Sequence, residues 1–424
     1  MALILKLFLV GALATGAWGA EEDALAISRG IQERHMPFGT ILDPMYAAPD
    51  TDEITGYTRC GDSAIWTGHY LAAEAFRYHH TRDDDALHNV WRALWGIRQL
   101  MDVTAPRALL ARCIIPVESP YAVGILQEEA HHGNYMGSLD GQPYFWVGNT
   151  SRDQYLGVFF GLSVAYDLVD DPNVRGVAAH IVTRLLDDLM DRNFAIVMPG
   201  GEISTVFWSR ADQRLTLLQI GRRMNPGRFD RAYTWAAWAG AGSMLGPISL
   251  QLLDPHGSYF KFNLNSISFY NLIRLGGSSA IEAVYRQAYN IMRRTLAGHG
   301  NAHFNMIDFE INGPDEARDA DTRQLLEDWL QRPRRDEWVD LRDKYPACDE
   351  NQACQVIPAI ERVTTDFLWQ RSPFQLYGGG SGTIEGAGID YILPYWMARH
   401  YGVIVENDPE GELTAAPDPG EPRS

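Results

Sequence analysis

Four short segments of the chain set an aspartate at or near the start of an apolar run. They are Gly61-Asp62-Ser63-Ala64-Ile65-Trp66, Ser151-Arg152-Asp153-Gln154-Tyr155-Leu156, Ser209-Arg210-Ala211-Asp212-Gln213-Arg214 and Gly388-Ile389-Asp390-Tyr391-Ile392-Leu393. Asp at such a place caps free backbone N–H groups and suits the positive end of the helix dipole, so any one of them alone reads as a cap. Asp62 and Asp153 have better company: each is followed by aromatic residues and by small residues that let another surface approach. Two carboxyl groups facing one cavity suit glycoside cleavage, in which one acid protonates the leaving oxygen and a second carboxylate activates water or attacks. Such a pair splits its pKa values, and the split assigns acid and base.

A sugar site also needs aromatic faces beside polar groups. Of the 12 Trp, Trp66, Trp146, Trp208 and Trp369 fall where a rim is expected, with Tyr144, Tyr155 and Tyr377 near in sequence, while Trp91, Trp95 and Trp235 have core spacing. Arg152 and Arg210 stand beside acids; they either recognise a substrate carboxylate bidentately or pair with Asp153 and Asp212. His303 and His256 are candidate proton donors. Glu385 belongs to the glycine-rich run Gly378 to Gly388, which lacks the ending of a phosphate loop and reads as a mobile or closely approaching loop from which that carboxylate reaches a cavity. Glu128-Glu129-Ala130-His131-His132 has metal-ligand residue types, but it is not H-E-x-x-H and neighbouring histidines do not share a helix face. It is expected to be a solvated loop, and no metal or other cofactor is expected. No G-x-S-x-G elbow is present to suggest a serine hydrolase.

Helical periodicity must position these residues. Asp62 to His80 and Asp84 to Met101 form one hairpin around Thr81-Arg82-Asp83; Arg152 to Leu168, almost wholly apolar, and Asn173 to Arg192, amphipathic after Pro172, form another. Apolar helices are expected to start near Asp62, Ser151, Ser209, Leu264, Asn301 and Gly388, and amphipathic ones near Asp84, Pro172, Asp230, Ser278 and Asp321, with Glu21 to Arg34 as a further outer helix. Helices buried on all sides are apolar all round, and solvent-facing ones carry a stripe. The alternation therefore predicts an all-α fold, an (α/α)6 toroid of inner and outer helices, with long loops over Pro116 to Thr150 and Arg332 to Ser381 and little strand.

That succession of hairpins, with Asp153-Gln154-Tyr155-Leu156-Gly157 opening an inner helix, resembles the six-hairpin glycosidase superfamily, and in particular the unsaturated glucuronyl hydrolases. The resemblance implies that Asp153 is the acid and base and that Asp62, from an earlier inner helix, supports it. A polysaccharide lyase on the same fold, or a non-catalytic sugar-binding or envelope-associated toroid, are the alternatives. The expected partner is an oligosaccharide or polysaccharide.

Composition narrows the setting. The first residues have one Lys, an apolar core and small residues at Ala17 and Gly19, which reads as a secretory signal over 1–19 cut after Gly19. A toroid domain over 20–405 and a disordered tail over 406–424, rich in Pro, Glu, Asp and Gly, are expected to follow. No later run reaches the roughly 18 apolar residues of a membrane span, so no membrane anchor is expected. The formal net charge of -18 opposes nucleic-acid binding. Four cysteines in an exported chain point to oxidising surroundings, periplasmic or extracellular. Cys348 and Cys354 are spaced to close a small loop and leave Cys60 with Cys113, although three pairings are formally possible.

Overall fold

The computed structural model describes residues 14–253, 256, 259–276, 279–346, 348, 354–364 and 366–405. Numbered along the chain, six helices form an inner ring: α2 (Ser63–Thr81), α5 (Arg152–Leu168), α7 (Ala211–Met224), α10 (Phe260–Arg274), α12 (Ala302–Asn312) and α14 (Ile389–His400). Each packs on the next, and α14 packs back on α2, so the ring closes. Outside it lie α1 (Ala14–Gly30), α3 (Asp84–Asp102), α6 (Pro172–Asp191), α8 (Pro226–Gly240), α11 (Ser279–Leu296) and α13 (Glu316–Leu330), each against its inner neighbours. Two short helices, α4 (Ala122–Glu128) and α9 (Leu245–Leu252), sit in the connections. The arrangement is an (α/α)6 toroid.

Sequence explains the layering. In α2 every residue from Ser63 to Arg77 is buried, whereas α3 buries one stripe that includes Val90, Leu94, Ile97 and Met101. Pro172 opens α6, where the Asp171 side chain accepts the Asn173 N–H at 2.7 Å, and Asn301 caps α12 by accepting the Phe304 N–H at 3.2 Å. Four starts differ from expectation, and the first is α1, which begins at Ala14 rather than at Glu21. Helix α10 begins at Phe260 rather than near Leu264, α8 at Pro226 rather than near Asp230, and α13 at Glu316 rather than near Asp321. In the last case the cap is Asp315, which accepts the Arg318 N–H at 2.8 Å.

The connections hold more strand than the periodicity suggests. Strands β1 (Asp43–Tyr46), β2 (Ile54–Thr58), β8 (Arg335–Asp340) and β9 (Tyr377–Glu385) form a sheet in the order β2-β1-β9-β8. Strands β3 (Cys113–Pro116), β4 (Asn134–Leu139) and β5 (Gln142–Val147) form a second, and β6 (Ala195–Val197) with β7 (Ile203–Val206) a third. The β4–β5 hairpin turns through Asp140 and Gly141, at φ +50° and +79°, a two-residue Asp-Gly turn that was readable in the sequence. The glycine run is strand β9 as far as Glu385, and only Gly386 to Gly388 form a loop before α14. It is closely approached as expected, since a Cβ on Gly379 would lie 2.0 Å from the Glu337 carbonyl oxygen.

Disulfides join Cys60 to Cys113 and Cys348 to Cys354. Most of the predicted signal segment and the whole acidic tail lie outside the described residues. The expected cleavage point falls within α1, beyond which Ala20 accepts the Tyr391 hydroxyl at 3.1 Å and Glu21 pairs with Arg399 at 2.6 Å. Among the described residues no helix is long and apolar enough to cross a membrane.

Candidate active site

The site begins with glycines. A Cβ on Gly68 of α2 would come 2.1 Å from the Gly157 carbonyl oxygen, and one on Gly161 of α5 would come 2.1 Å from that of Gly68. The two backbones can touch only because these side chains are absent. This close crossing brings the heads of α2 and α5 together, and with them Asp62 and Asp153, which line one cavity of about 380 Å³.

Polar residues lock the two heads. Gln154, fully buried, donates through Nε2 to Asp62 Oδ1 at 3.0 Å and accepts the Ile65 N–H at 3.0 Å. Arg112 donates to the Gly61 carbonyl at 2.6 Å, the Asn149 carbonyl at 3.1 Å and Ser151 Oγ at 2.7 Å. Ser151 Oγ in turn donates to Asp153, which also accepts the Gln154 N–H at 2.9 Å. The Cys60–Cys113 disulfide, with Cys60 two residues before Asp62 and Cys113 next to Arg112, staples the same corner. Sequence reasoning missed Arg112 and Gln154; the cysteine next to the first, and the motif containing the second, were the available signals.

Asp62 stands where two lobes of the cavity meet. A second lobe of about 500 Å³ shares Arg59, Asp62, Phe260 and Gln370 with the first. The Asp62 side chain remains 37% accessible from the cavity, yet burial and then the nearby charge of Asp153 push its pKa up to about 6. Arg112, at 3.9 Å, opposes that rise only in part because it is engaged elsewhere. Arg59 is held at the junction by Asp366 at 2.8 Å and Asp43 at 3.2 Å.

The other two members of the aspartate repeat are structural. Asp212 is fully buried and paired with Arg210 at 3.0 and 2.6 Å; Asp390 is buried and accepts the Leu368 N–H at 2.8 Å. Arg152 does not bond Asp153 but donates to the Val206 carbonyl at 2.9 Å, tying α5 to β7.

Several expected binding residues are placed away from the cavity. Trp66 is buried edge-on against Phe367, with ring centroids 4.7 Å apart, and Trp369 is wholly buried. Trp146 is buried and stacked on Tyr135 at 4.4 Å, because β5 turns it under the second sheet. Tyr155 is buried with its hydroxyl accepting the Leu110 N–H at 3.2 Å. His303 is buried beside Trp369 and His69, neither ring nitrogen has a hydrogen-bond partner among the described residues, and burial holds its pKa well below the ordinary value. Tyr377 packs on Trp338 and Arg342 in the first sheet. Glu385 is bound there too, by Arg34 at 2.8 Å and Tyr46 at 2.7 Å. Trp208 is exposed but outside both lobes, and Trp235, expected in the core, is 68% exposed. The aromatic face that does open on both lobes is Phe260, at the start of α10; His256 lines the larger one.

The Glu128 to His132 segment is solvated only in part: it ends α4 and makes a short turn, with Glu128, Ala130 and His131 exposed. It forms the wall of the Asp62 lobe, with Glu129 only 4% exposed. Glu129 accepts the Gly61 N–H at 2.7 Å through one oxygen and meets His132 Nδ1 at 2.6 Å through the other. Burial works against its charge, but those hydrogen bonds prevail and hold its pKa below the ordinary value.

No protein family matches the sequence, and no curated protein does. Among solved structures, cellobiose 2-epimerase from Spirochaeta thermophila DSM 6192 aligns at 8% identity and TM-score 0.42, covering 91% of this chain and 97% of that one. The GH76A alpha-1,6-mannanase from Salegentibacter sp. HEL1_6 aligns at 10% identity and TM-score 0.41, covering 90% and 98%. A sugar epimerase from a ruminal bacterium aligns at 9% identity and TM-score 0.40, covering 88% and 98%.

Proposed function

We propose that this protein is an exported carbohydrate-active enzyme that hydrolyses a glycosidic bond in an oligosaccharide or polysaccharide. The observation that supports this reading is the convergence of Asp62 and Asp153 on one cavity, with Asp62 raised to about 6 by burial and by its partner. A carboxyl group poised in that range keeps a proton to give to a leaving oxygen in mildly acidic solution. Asp62 is therefore the acid. Asp153, an acceptor for Ser151 and the Gln154 N–H, is the carboxylate that activates water or attacks. This exchanges the roles that the family resemblance implies, and the electrostatics are the reason.

The two lobes on either side of Asp62 give room for sugar units flanking the scissile bond, and Phe260 offers both an apolar face. Arg59 and Arg112 are engaged by protein acceptors, and Arg371 is paired with Asp366 at 2.6 Å, which favours a neutral sugar over a uronate. Export is supported by the N-terminal pattern and by the two disulfides.

The test is incubation with neutral and uronate-containing oligosaccharides in ¹⁸O-labelled water, with products read by mass spectrometry and NMR. Label in a new reducing end is the expected outcome, and the anomer formed first reports whether Asp153 attacks the sugar or activates water. Unsaturated products, which mark a lyase, or the absence of cleavage across the panel would overturn the hydrolase reading.

A further inference from the structure

The wall of the Asp62 lobe carries a feature that hydrolysis by two aspartates does not use. One side-chain ligand atom from each of Glu129, His131 and His132 lies within 4.8 Å of the others. We propose that these three residues bind a divalent transition-metal ion of the zinc class at the edge of the cavity.

The local fold explains how adjacent histidines come to share a site. A single tight turn over Ala130–His132, ended by Gly133 at φ +80°, replaces the helix on which they would diverge, and their ring centroids are 3.9 Å apart. Gly61 completes the cradle. A Cβ there would fall 2.9 Å from Glu129 Oε2 and 3.1 Å from His132 Cε1, so its absence is what lets the carboxylate and the imidazole approach the head of α2. The Glu128 carbonyl lies 3.2 Å from His131 Nδ1, and a proton held there for that carbonyl leaves Nε2 as the lone-pair nitrogen, the arrangement in which metal-bound histidines are oriented.

The donor set is chemically selective. Two imidazoles and one carboxylate suit zinc and its neighbours rather than magnesium or calcium, which prefer all-oxygen shells. Three protein ligands leave a fourth position, and here it would face a cavity also lined by Asp62 and Asp153. Bringing the donors to ligand distance requires the Glu129 to His132 hydrogen bond to give way to the ion, which removes the proton between them.

Zinc binding is measured without a sugar, so the inference stands or falls apart from the hydrolase reading. The purified full-length protein is stripped with chelator and titrated with zinc sulfate in a calorimeter, and melting is followed with and without the ion. One equivalent is expected, with a rise in melting temperature because the ion binds only the folded site. His131→Ala is the informative variant, since His131 is exposed and its loss leaves the Glu129 contacts in place. It should bind zinc at least about tenfold more weakly and lose the thermal shift. His88→Ala, which removes an exposed histidine from α3, should bind like the wild type. No binding by the wild type, or equal zinc affinity in the wild type and His131→Ala, would overturn the proposal and leave Glu129 and His132 as a hydrogen-bonded pair.

Discussion

Asp62 in the cavity and Glu385 in the first sheet are carboxylates whose charge burial disfavours, yet they end on opposite sides of the ordinary range. Glu385 is drawn down, because Arg34 and Tyr46 donate to it and His35 stands 3.6 Å away. Asp62 is pushed up to about 6, because burial is opposed there by no more than the neutral Gln154 amide and Arg112 at 3.9 Å, and its neighbour Asp153 carries the same charge. Desolvation acts alike on both; the company each keeps decides the outcome. A carboxylate beside cations holds a fold together, and one facing another carboxylate at a cavity is a candidate for proton transfer.

The largest expected effect tests the cavity side of that contrast. Asp62→Asn and Asp153→Asn should each lower turnover by about 10² to 10⁴ while melting temperature stays near the wild-type value. Both sides of the measurement matter: wild-type rates in both variants would remove the two aspartates from the chemistry. Gly68→Ala attacks the same site through packing. Its methyl group would meet the Gly157 carbonyl, so a loss of about 1–3 kcal/mol in urea unfolding is expected, with turnover falling although no charged group has changed.

Glu385→Gln probes the opposite pole and should cost about 1.5–3 kcal/mol at neutral pH, with little change in turnover for the folded protein. Its pH course has a defined sign. A carboxylate depressed by folding contributes stability above its unfolded value and loses it as the pH falls through the folded value, so the gap between variant and wild type should close progressively below about pH 4.5. Denaturant midpoints from pH 3 to pH 7 check it. The smallest effect is the reverse trend at Asp62. Being raised by folding, it gives its full stability below about pH 3.8 and loses it as the pH rises through about 6, so Asp62→Asn should gain slightly on the wild type between those values. In the wild type the hydrolysis rate should fall above about pH 6 as the proton is lost. A flat profile from pH 5 to pH 8 would break the comparison.

The ring was legible because burial leaves its mark along a helix. An inner helix such as α2 must be apolar on every side and an outer one such as α3 on only one, so the alternation of the two patterns carried the architecture. Asp62 and Asp153 were legible for a related reason: both stand at helix heads, followed by the small residues Gly68 and Gly157 that permit contact. The aromatic and small residues that follow them favoured these two over Asp212 and Asp390, but since all four are acids at the same local address the pattern held no contact or charge to account for the difference.

Tertiary packing supplied that account, by placing Arg210 against Asp212 and the Leu368 N–H against Asp390 while leaving the other two open to a cavity. The same holds for the aromatics. Trp66, Trp146 and Tyr155 sit beside the motif in sequence but turn into the interior, whereas Phe260, distant in sequence, supplies the exposed face. Glu129 and His132 gained their place from contact with Gly61, 68 residues from Glu129 along the chain. Local propensities set which segments become helices; where several of them begin, the direction of a side chain, the charge that faces it and the water left around it depend on surfaces that meet only when the ring closes.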